Sequence, residues 1–356
     1  MNKIITIFGA RPQFIKSALV SKELRKIKGV REILIHTGQH FDFNMSEIFF
    51  KELGLKKPKY YLEINNLSHG AMTGKMLQEI ETILIKEKPN LVLVYGDTNS
   101  TLAGALAAAK LNVPVAHIES GLRSNNYQMP EEVNRVLKDK ISKFLFCPTD
   151  TAVNNLISEG LDKNGIKIIK SGDVMYDSIK HFSKISSKKS DIIKRLKLKK
   201  FALCTIHRPE NTDFANNLRS IFNSFETLAD KIEIVIPIHP RTRKRLKKSN
   251  IQIKNITVIE SVGYFDMLEL LKSTKIVLTD SGGLQKEAFF FQKPCVTLRE
   301  ETEWVELVEN GFNYLAGNKK DKILRGYEIM INKKISKANF YGDGHSAKKI
   351  VNELIL

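Results

Sequence analysis

The stretch Lys3-Ile4-Ile5-Thr6-Ile7-Phe8-Gly9-Ala10-Arg11-Pro12-Gln13-Phe14-Ile15-Lys16 decides how the chain is read. A short run rich in β-branched residues ends in small and charged residues, and a helical pattern follows from Pro12 to Lys26. The same alternation continues to the C-terminus, which is the signature of parallel sheets with crossover helices. In the first half the pattern predicts strands at Lys3 to Phe8, Glu32 to His36, Leu91 to Tyr95, Val113 to Ile118 and Phe144 to Cys147, with a further strand-like run at Ile166 to Ile169. Thr98 to Lys110 reads as one of the intervening helices. The second half repeats the plan at Phe201 to Ile206, Glu233 to Ile238, Thr257 to Ile259, Lys275 to Thr279 and Cys295 to Leu298. The fold class is therefore α/β, with two similar doubly wound domains.

A length of 356 residues suits two domains and a large core. Hydrophobic residues at 42% and charged residues at 27% exclude a disordered or fibrous chain. No apolar run reaches the roughly 18 residues of a membrane span. Met1 to Phe8 lacks a long apolar region and a cleavage site, so it reads as a first strand and not as a signal peptide. Cys147, Cys204 and Cys295 are far apart and each sits in or beside an apolar run, which favours a reducing, cytoplasmic location over a disulfide framework or a zinc site.

The net charge of +18 suits an anionic partner such as nucleic acid, acidic lipid or a phosphorylated small molecule. The densest basic stretches, Lys184 to Lys200 and Arg241 to Lys248, carry no interleaved aromatic residues for stacking on bases, so they read as solvated helix faces.

A hinge is expected at Lys170 to Asp177. It gives an N-terminal domain of residues 1–170 and a C-terminal domain of residues 171–343, with a terminal amphipathic helix over residues 344–356 that would pack back on the first.

Ligands of open α/β sheets bind beyond the carboxyl ends of the strands. There the chain carries Gly9 to Gln13 with Lys16, Gly96-Asp97-Thr98, Glu119 to Arg123, His207 to Asn211, His239-Pro240-Arg241 and Asp280 to Gly283. The turn Thr279-Asp280-Ser281-Gly282-Gly283 leads into a helix whose exposed amides, with no Cβ on the two glycines, would seat a diphosphate. Glu287, one turn further, could accept hydrogen bonds from both hydroxyls of a ribose. Each residue also has a plainer reading. Ser281 or Asp280 could be an ordinary helix cap, as could Asp97. Glu119 could pair with Arg123, Glu131 with Arg135, and His207 and His239 could be satisfied core histidines.

The absences narrow the chemistry. There is no dinucleotide fingerprint after the first strand, no P-loop and no metal motif, so no cofactor or metal is expected. What remains is a nucleotide-diphosphate seat with carboxylates and histidines, which points to acid/base chemistry on a nucleotide sugar.

At these residues the sequence resembles the non-hydrolysing UDP-N-acetylglucosamine 2-epimerase family. The resemblance rests on Gly9-Ala10-Arg11-Pro12 with Lys16, Gly38-Gln39-His40, Gly96-Asp97-Thr98, His117 to Arg123, Pro130 to Arg135, His207-Arg208, Thr279 to Glu287 and Tyr341 to Gly344. It implies two Rossmann-like domains of the glycosyltransferase-B type, with the active site in the interdomain cleft, a homodimer, and a UDP-sugar substrate with neither a nucleic acid nor a membrane as partner. It also implies a route: UDP is eliminated across C1 and C2, and is added back to the 2-acetamidoglucal after protonation on the other face. Carried over position by position, Asp97, Glu119 and Glu131 are the candidate acid/base carboxylates. His207 would stabilise or protonate the departing phosphate, Arg11 and Lys16 would neutralise charge, and Ser281, Gly282, Gly283 and Glu287 would hold UDP.

Three departures stand out. Gln13 replaces a Glu, and Trp304 replaces an Arg that helps bind the substrate end. At the positions of a second, activating site, Gln39, Glu131, Arg208 and His239 match, whereas Asp42 replaces a Gln and Asn65 to His69 lacks an Arg. The motifs around Gln13, His36 to Asp42 and Glu301 to Trp304 resemble the branch acting on UDP-2,3-diacetamido-2,3-dideoxyglucuronate, for which Trp304 would pack near the sugar end. A glycosyltransferase of the same fold would need an acceptor groove, for which no aromatic-rich loop is seen.

Overall fold

The first sheet has the order β3-β2-β1-β4-β5-β6-β7 with every neighbouring pair parallel, where β1 is Asn2–Phe8, β2 Val30–His36, β3 Tyr60–Tyr61, β4 Leu91–Tyr95, β5 Val115–Ile118, β6 Phe144–Cys147 and β7 Lys167–Lys170. The second has the order β10-β9-β8-β11-β12-β13, also parallel, with β8 Phe201–Thr205, β9 Glu233–Ile238, β10 Ile256–Glu260, β11 Ile276–Thr279, β12 Cys295–Thr297 and β13 Asn313–Leu315. This computed structural model describes residues 2–39, 43–163 and 165–355, with residues 43–47 described by backbone alone. His40, Phe41 and Asp42 of the sequence motifs lie outside the described residues.

The chain divides into two compact units, one running to Lys180 and resuming at Asn339, the other His181–Ala338. The first division falls inside the helix Val174–Lys189, some residues beyond the segment in which sequence places a hinge.

Every predicted strand is present within a residue or two at each end. Central strands such as β4 read as unbroken apolar runs because helices cover both faces, and all five of its residues are buried. The strands missed are β3 and β13, edge strands of two and three residues that are too short to carry a period. The C-terminal helix Ser346–Ile355 buries Ala347, Ile350 and Val351 with Ile4, Val20, Leu24 and Leu93 of the first unit. Its N-terminal turn is held by Asp177, whose Oδ2 accepts from the Ala347 amide at 2.8 Å. No helix among the described residues is long and apolar enough to cross a membrane.

Both sheets reverse their winding once. The chain runs outward from β1 through β2 to β3 and then places β4 on the other side of β1; β8, β9, β10 and β11 do the same. The crevices beyond β1/β4 and β8/β11 are thus the topological switch points where such sheets take ligands.

Gln13 ties the first crevice together from beneath. Its Oε1 accepts from the amides of Gly9 at 2.8 Å and Ala10 at 3.0 Å, while Nε2 donates to Tyr95 O at 2.8 Å and Thr101 Oγ1 at 2.9 Å. One buried amide therefore bonds the end of β1 to the end of β4, using acceptor and donor at once. A carboxylate could supply the first half of this arrangement but not the second. Gln13→Leu is expected to lower the unfolding free energy by about 2 to 4 kcal/mol, since it strands several buried polar groups. Urea denaturation that gave a midpoint equal to wild type would show that the clamp contributes nothing.

Candidate active site

The turn after β1 needs a glycine at position 9, because a Cβ there would collide with Thr37 Oγ1 and Ser100 Oγ. From this turn the helix Arg11–Leu24 starts, and its second turn carries Lys16 over the end of β4. Lys16 pairs with Glu119, both side chains being more than nine-tenths buried. Gly96, at φ +61°, lies under the pair: a Cβ on it would sit 3.0 Å from Lys16 Nζ and 3.3 Å from Glu119 Oε2.

Glu119 itself has φ +72°, a strained conformation for a residue with a side chain. The amides of Glu119 and Ser120 both donate to Phe146 O, at 3.1 and 3.0 Å. Because the chain turns through left-handed residues at Glu119 and Gly121, the four-residue spacing to Arg123 is not helical. Arg123 instead donates to Asp139 and forms a bidentate hydrogen-bonded pair with Glu159. The alternative pairing of Glu119 with Arg123 is replaced by Lys16.

Asp97 follows β4 and is not the helix cap. Thr98 is, its hydroxyl accepting from the Thr101 amide. Asp97 Oδ2 receives a fork from Arg135, with Nε at 3.0 Å and Nη2 at 2.6 Å, and its backbone carbonyl receives Asn134 Nδ2 at 2.9 Å. Arg135 also donates to Glu132 at 2.8 Å, whose carboxylate takes the amides of Ser124 and Asn125. One face of the helix Pro130–Ile141 thus presents Asn134 and Arg135 to the Asp97 loop. Glu131 stands half-buried in the first turn of that helix.

Beneath this loop lies a buried polar layer that sequence reasoning did not assign. His117 places Nδ1 2.7 Å from Asp139 Oδ1 and Nε2 3.0 Å from Gly96 O. Asp139 also accepts from the Gly121 amide at 3.1 Å. Burial lowers the His117 pKa, with Lys138 adding to the effect. Lys138 is fully buried, its pKa is pulled down to about 8 by burial, and its Nζ has no hydrogen-bond partner among the described residues. The signal available in sequence is the one-turn spacing of Asn134 and Arg135 from Lys138 and Asp139, which sets all four on one side of the helix.

In the second unit Asp280 organises the crevice between β8 and β11. Fully buried, it accepts from the amides of His207 and Arg208 and from Asn211 Nδ2, all at 3.0 to 3.1 Å. His207 Nδ1 lies 3.3 Å from Asp280 Oδ1 while 43% of its side chain is exposed. His207 and His239 are both exposed, contrary to the core reading. His239 caps the helix Pro240–Lys248, its Nδ1 accepting from the Arg241 amide at 3.2 Å.

Ser281 caps the helix Gly282–Phe290, and its own amide bonds Thr279 Oγ1 at 2.9 Å. The missing Cβ of Gly282 makes room for a side chain of the protein: a Cβ there would collide with Glu303 Oε1. Glu303 is held by Arg299, Nη1 to Oε2, at 2.9 Å. Glu287 is buried on the same helix.

Trp304 is 2% exposed, and Lys286 Nζ lies 3.9 Å from the centroid of its ring. Trp304 is thus a packed side chain with a cation against its ring. Arg11 lies with Cζ 4.7 Å from the Phe49 ring centroid. No group of three or more His, Cys, Asp or Glu able to hold a metal occurs among the described residues.

The sequence profile of the family described as UDP-N-acetylglucosamine 2-epimerase matches residues 22–355. A UDP-2,3-diacetamido-2,3-dideoxy-D-glucuronate 2-epimerase of Pseudomonas aeruginosa is 50% identical over 99% of each chain. A UDP-N-acetylglucosamine 2-epimerase of Methanococcus maripaludis is 47% identical, covering 99% of this chain and 98% of its own. Among solved structures, Methanocaldococcus jannaschii UDP-GlcNAc 2-epimerase in complex with UDP-GlcNAc and UDP superposes with a TM-score of 0.93 at 44% identity, over 99% of each chain. With two doubly wound parallel sheets and sequence agreement along nearly its whole length, the chain belongs to the UDP-N-acetylglucosamine 2-epimerase family.

Proposed function

We propose that the protein inverts C2 of a UDP-N-acetylhexosamine, interconverting UDP-N-acetylglucosamine and its manno epimer, by eliminating UDP and adding it back. The observation that carries the reading is the family match over residues 22–355. The C2 proton of such a sugar is not beside a carbonyl, so direct removal and return gives no stabilised anion. Elimination avoids that problem. A base takes the C2 proton, the C1–O bond breaks with its electrons going to UDP, and the C1–C2 double bond of the 2-acetamidoglucal forms. Protonation at C2 from the other face and return of the phosphate oxygen to C1 complete the inversion.

The two proton transfers fall to Asp97, Glu119 and Glu131. Arg135 fixes the direction of the Asp97 carboxylate, and Lys16 with the strained backbone fixes that of Glu119. His207, oriented by Asp280, meets the leaving phosphate, and Arg11 and Lys16 neutralise the charge that develops. UDP stays bound between the two steps. Ser281, Gly282 and Gly283 at the helix N-terminus seat its diphosphate, Glu287 holds its ribose, and Trp304 shapes the sugar end through its packing with Lys286. We further propose that the protein works in the cytoplasm as a homodimer, without cofactor or metal.

A second substrate is favoured by the 50% identical relative named for the diacetamido glucuronate. The same chemistry then acts on UDP-2,3-diacetamido-2,3-dideoxyglucuronate, the sugar-end exchange of Arg for Trp304 setting the preference.

Incubation with each UDP-sugar in deuterated water is expected to place deuterium at C2 of both epimers; a UDP-sugar epimer formed without deuterium would exclude solvent-exchanged proton transfer at that carbon. Glu119→Gln and Asp97→Asn are each expected to lower kcat by about 100- to 10,000-fold, with UDP affinity little changed; near wild-type rates in both would remove them from the chemistry. Glu287→Ala should weaken UDP binding by about 1.5 to 3 kcal/mol, the range for hydrogen bonds to a charged group. Calorimetry showing unchanged affinity would return that carboxylate to a packing role. A higher kcat/KM for the diacetamido glucuronate than for UDP-N-acetylglucosamine supports the second substrate, and the reverse order the first.

A further inference from the structure

At the N-terminal turn of the helix Gly282–Phe290 the protein has already placed an anion of its own. Gly282 lacks a Cβ, and the space that a Cβ would need is taken by Glu303 Oε1. The other oxygen of that carboxylate is bonded by Arg299 Nη1 at 2.9 Å, and Nη1 would lie 3.7 Å from a Cβ on Gly282. Arg299 and Glu303 are both more than nine-tenths buried. The second terminal nitrogen of Arg299, Nη2, has no hydrogen-bond partner among the described residues.

A guanidinium buried to this degree normally uses all its donors, and a fork with one prong engaged is matched to a further oxygen. Helix amides, a guanidinium with an unused N–H and a glycine that permits close approach converge on this turn. A carboxylate occupies a position that also suits a phosphate oxygen.

We propose that Arg299 is a phosphate-binding residue, whose guanidinium is shared between Glu303 and the diphosphate of a nucleoside-diphosphate sugar. Glu303 and the diphosphate compete for the same cation and the same helix turn. The inference rests on the proposed reading of the chain as a UDP-sugar 2-epimerase and extends it to a residue that the family motifs did not single out. Arg299 lies five residues before Trp304 and supplies a guanidinium in the segment whose expected arginine is replaced by indole.

The consequence is a pair of opposite effects. Arg299→Met removes a donor to phosphate and should weaken UDP binding by about 10- to 100-fold while leaving uridine within about twofold. Glu303→Gln removes a competing negative charge and should leave UDP binding as tight as wild type or tighter. A merely structural ion pair behaves otherwise, because losing either partner then disturbs the same turn and weakens UDP alike.

The experiment is calorimetric titration of the full-length wild type, Arg299→Met and Glu303→Gln with UDP and with uridine, thermal melting being recorded for each. Arg299→Lys, which keeps the charge and loses the fork, takes the place of the methionine variant under the same criteria if that variant does not fold. Weakened UDP with unchanged uridine in the Arg299 variant, together with undiminished UDP affinity in Glu303→Gln, supports the assignment. Unchanged UDP affinity in the Arg299 variant overturns it, as does an equal loss of UDP and uridine, or a loss in Glu303→Gln as large as in the Arg299 variant. A wild type that binds no UDP at all would contradict the proposed function, whereas failure in the variants alone contradicts only the role of Arg299.

Discussion

Two opposite charges buried together, Lys16 and Glu119, impose the constraint around which the first unit is built. Such a pair adds little to stability over a well-packed apolar contact, but losing one partner strands the other at a cost of about 3 to 5 kcal/mol. Its geometry therefore has to be met by the backbone. Gly96 takes a left-handed conformation that leaves room beneath the two side chains, and Glu119 accepts a positive φ to bring its carboxylate to the end of β4. Gln13 holds the ends of β1 and β4 at the required spacing by bonding to both. Strain of this kind persists only where the surroundings over-determine it, and it gathers where a side chain must be aimed.

The polar layer beneath Gly96 and Asp97 works in the same way. Asp139 bonds His117, Arg123 and the Gly121 amide; Arg123 reaches out to Glu159; Arg135 bridges Asp97 and Glu132. Each carboxylate in the layer has a cation or amide against it, so its orientation is fixed before any ligand arrives. The second unit reaches a comparable result with fewer charges: one buried carboxylate, Asp280, gathers two backbone amides and a side-chain amide and sets the ring of His207 beside it. The two crevices share a winding plan but not a chemistry, one being lined by paired acids and bases and the other by a helix N-terminus.

Much of this was legible in the sequence for a physical reason. A parallel strand covered on both faces leaves an unbroken apolar run, and the residues after such runs mark the ligand-facing edge, so Asp97, Glu119, His207 and Ser281 could be named from position alone. Partnership was not legible. Glu119 has Arg123 four residues on as a plainer candidate partner, but a left-handed turn separates the two, and its partner Lys16 is 103 residues away in the chain. Lys138 and Asp139 are hard to read because a charged residue in an amphipathic helix is ordinarily solvated, and their one-turn spacing from Asn134 and Arg135 is a weak sign that this helix turns them inward. That Trp304 packs could be read from the sequence, whereas its partner Lys286, eighteen residues earlier in the chain, is visible only in the fold.

The central claim is that the C1–O bond of a UDP-sugar breaks and re-forms while UDP remains bound. Positional isotope exchange tests it most directly. A UDP-N-acetylhexosamine carrying oxygen-18 in the bridge between C1 and the β-phosphorus is incubated with the enzyme, and phosphorus NMR follows the label. The account predicts that the label moves into the non-bridging β-phosphate oxygens as the C2 epimer appears, because the released phosphate can rotate before it re-adds. Epimerisation at C2 with the label retained wholly in the bridge would contradict it.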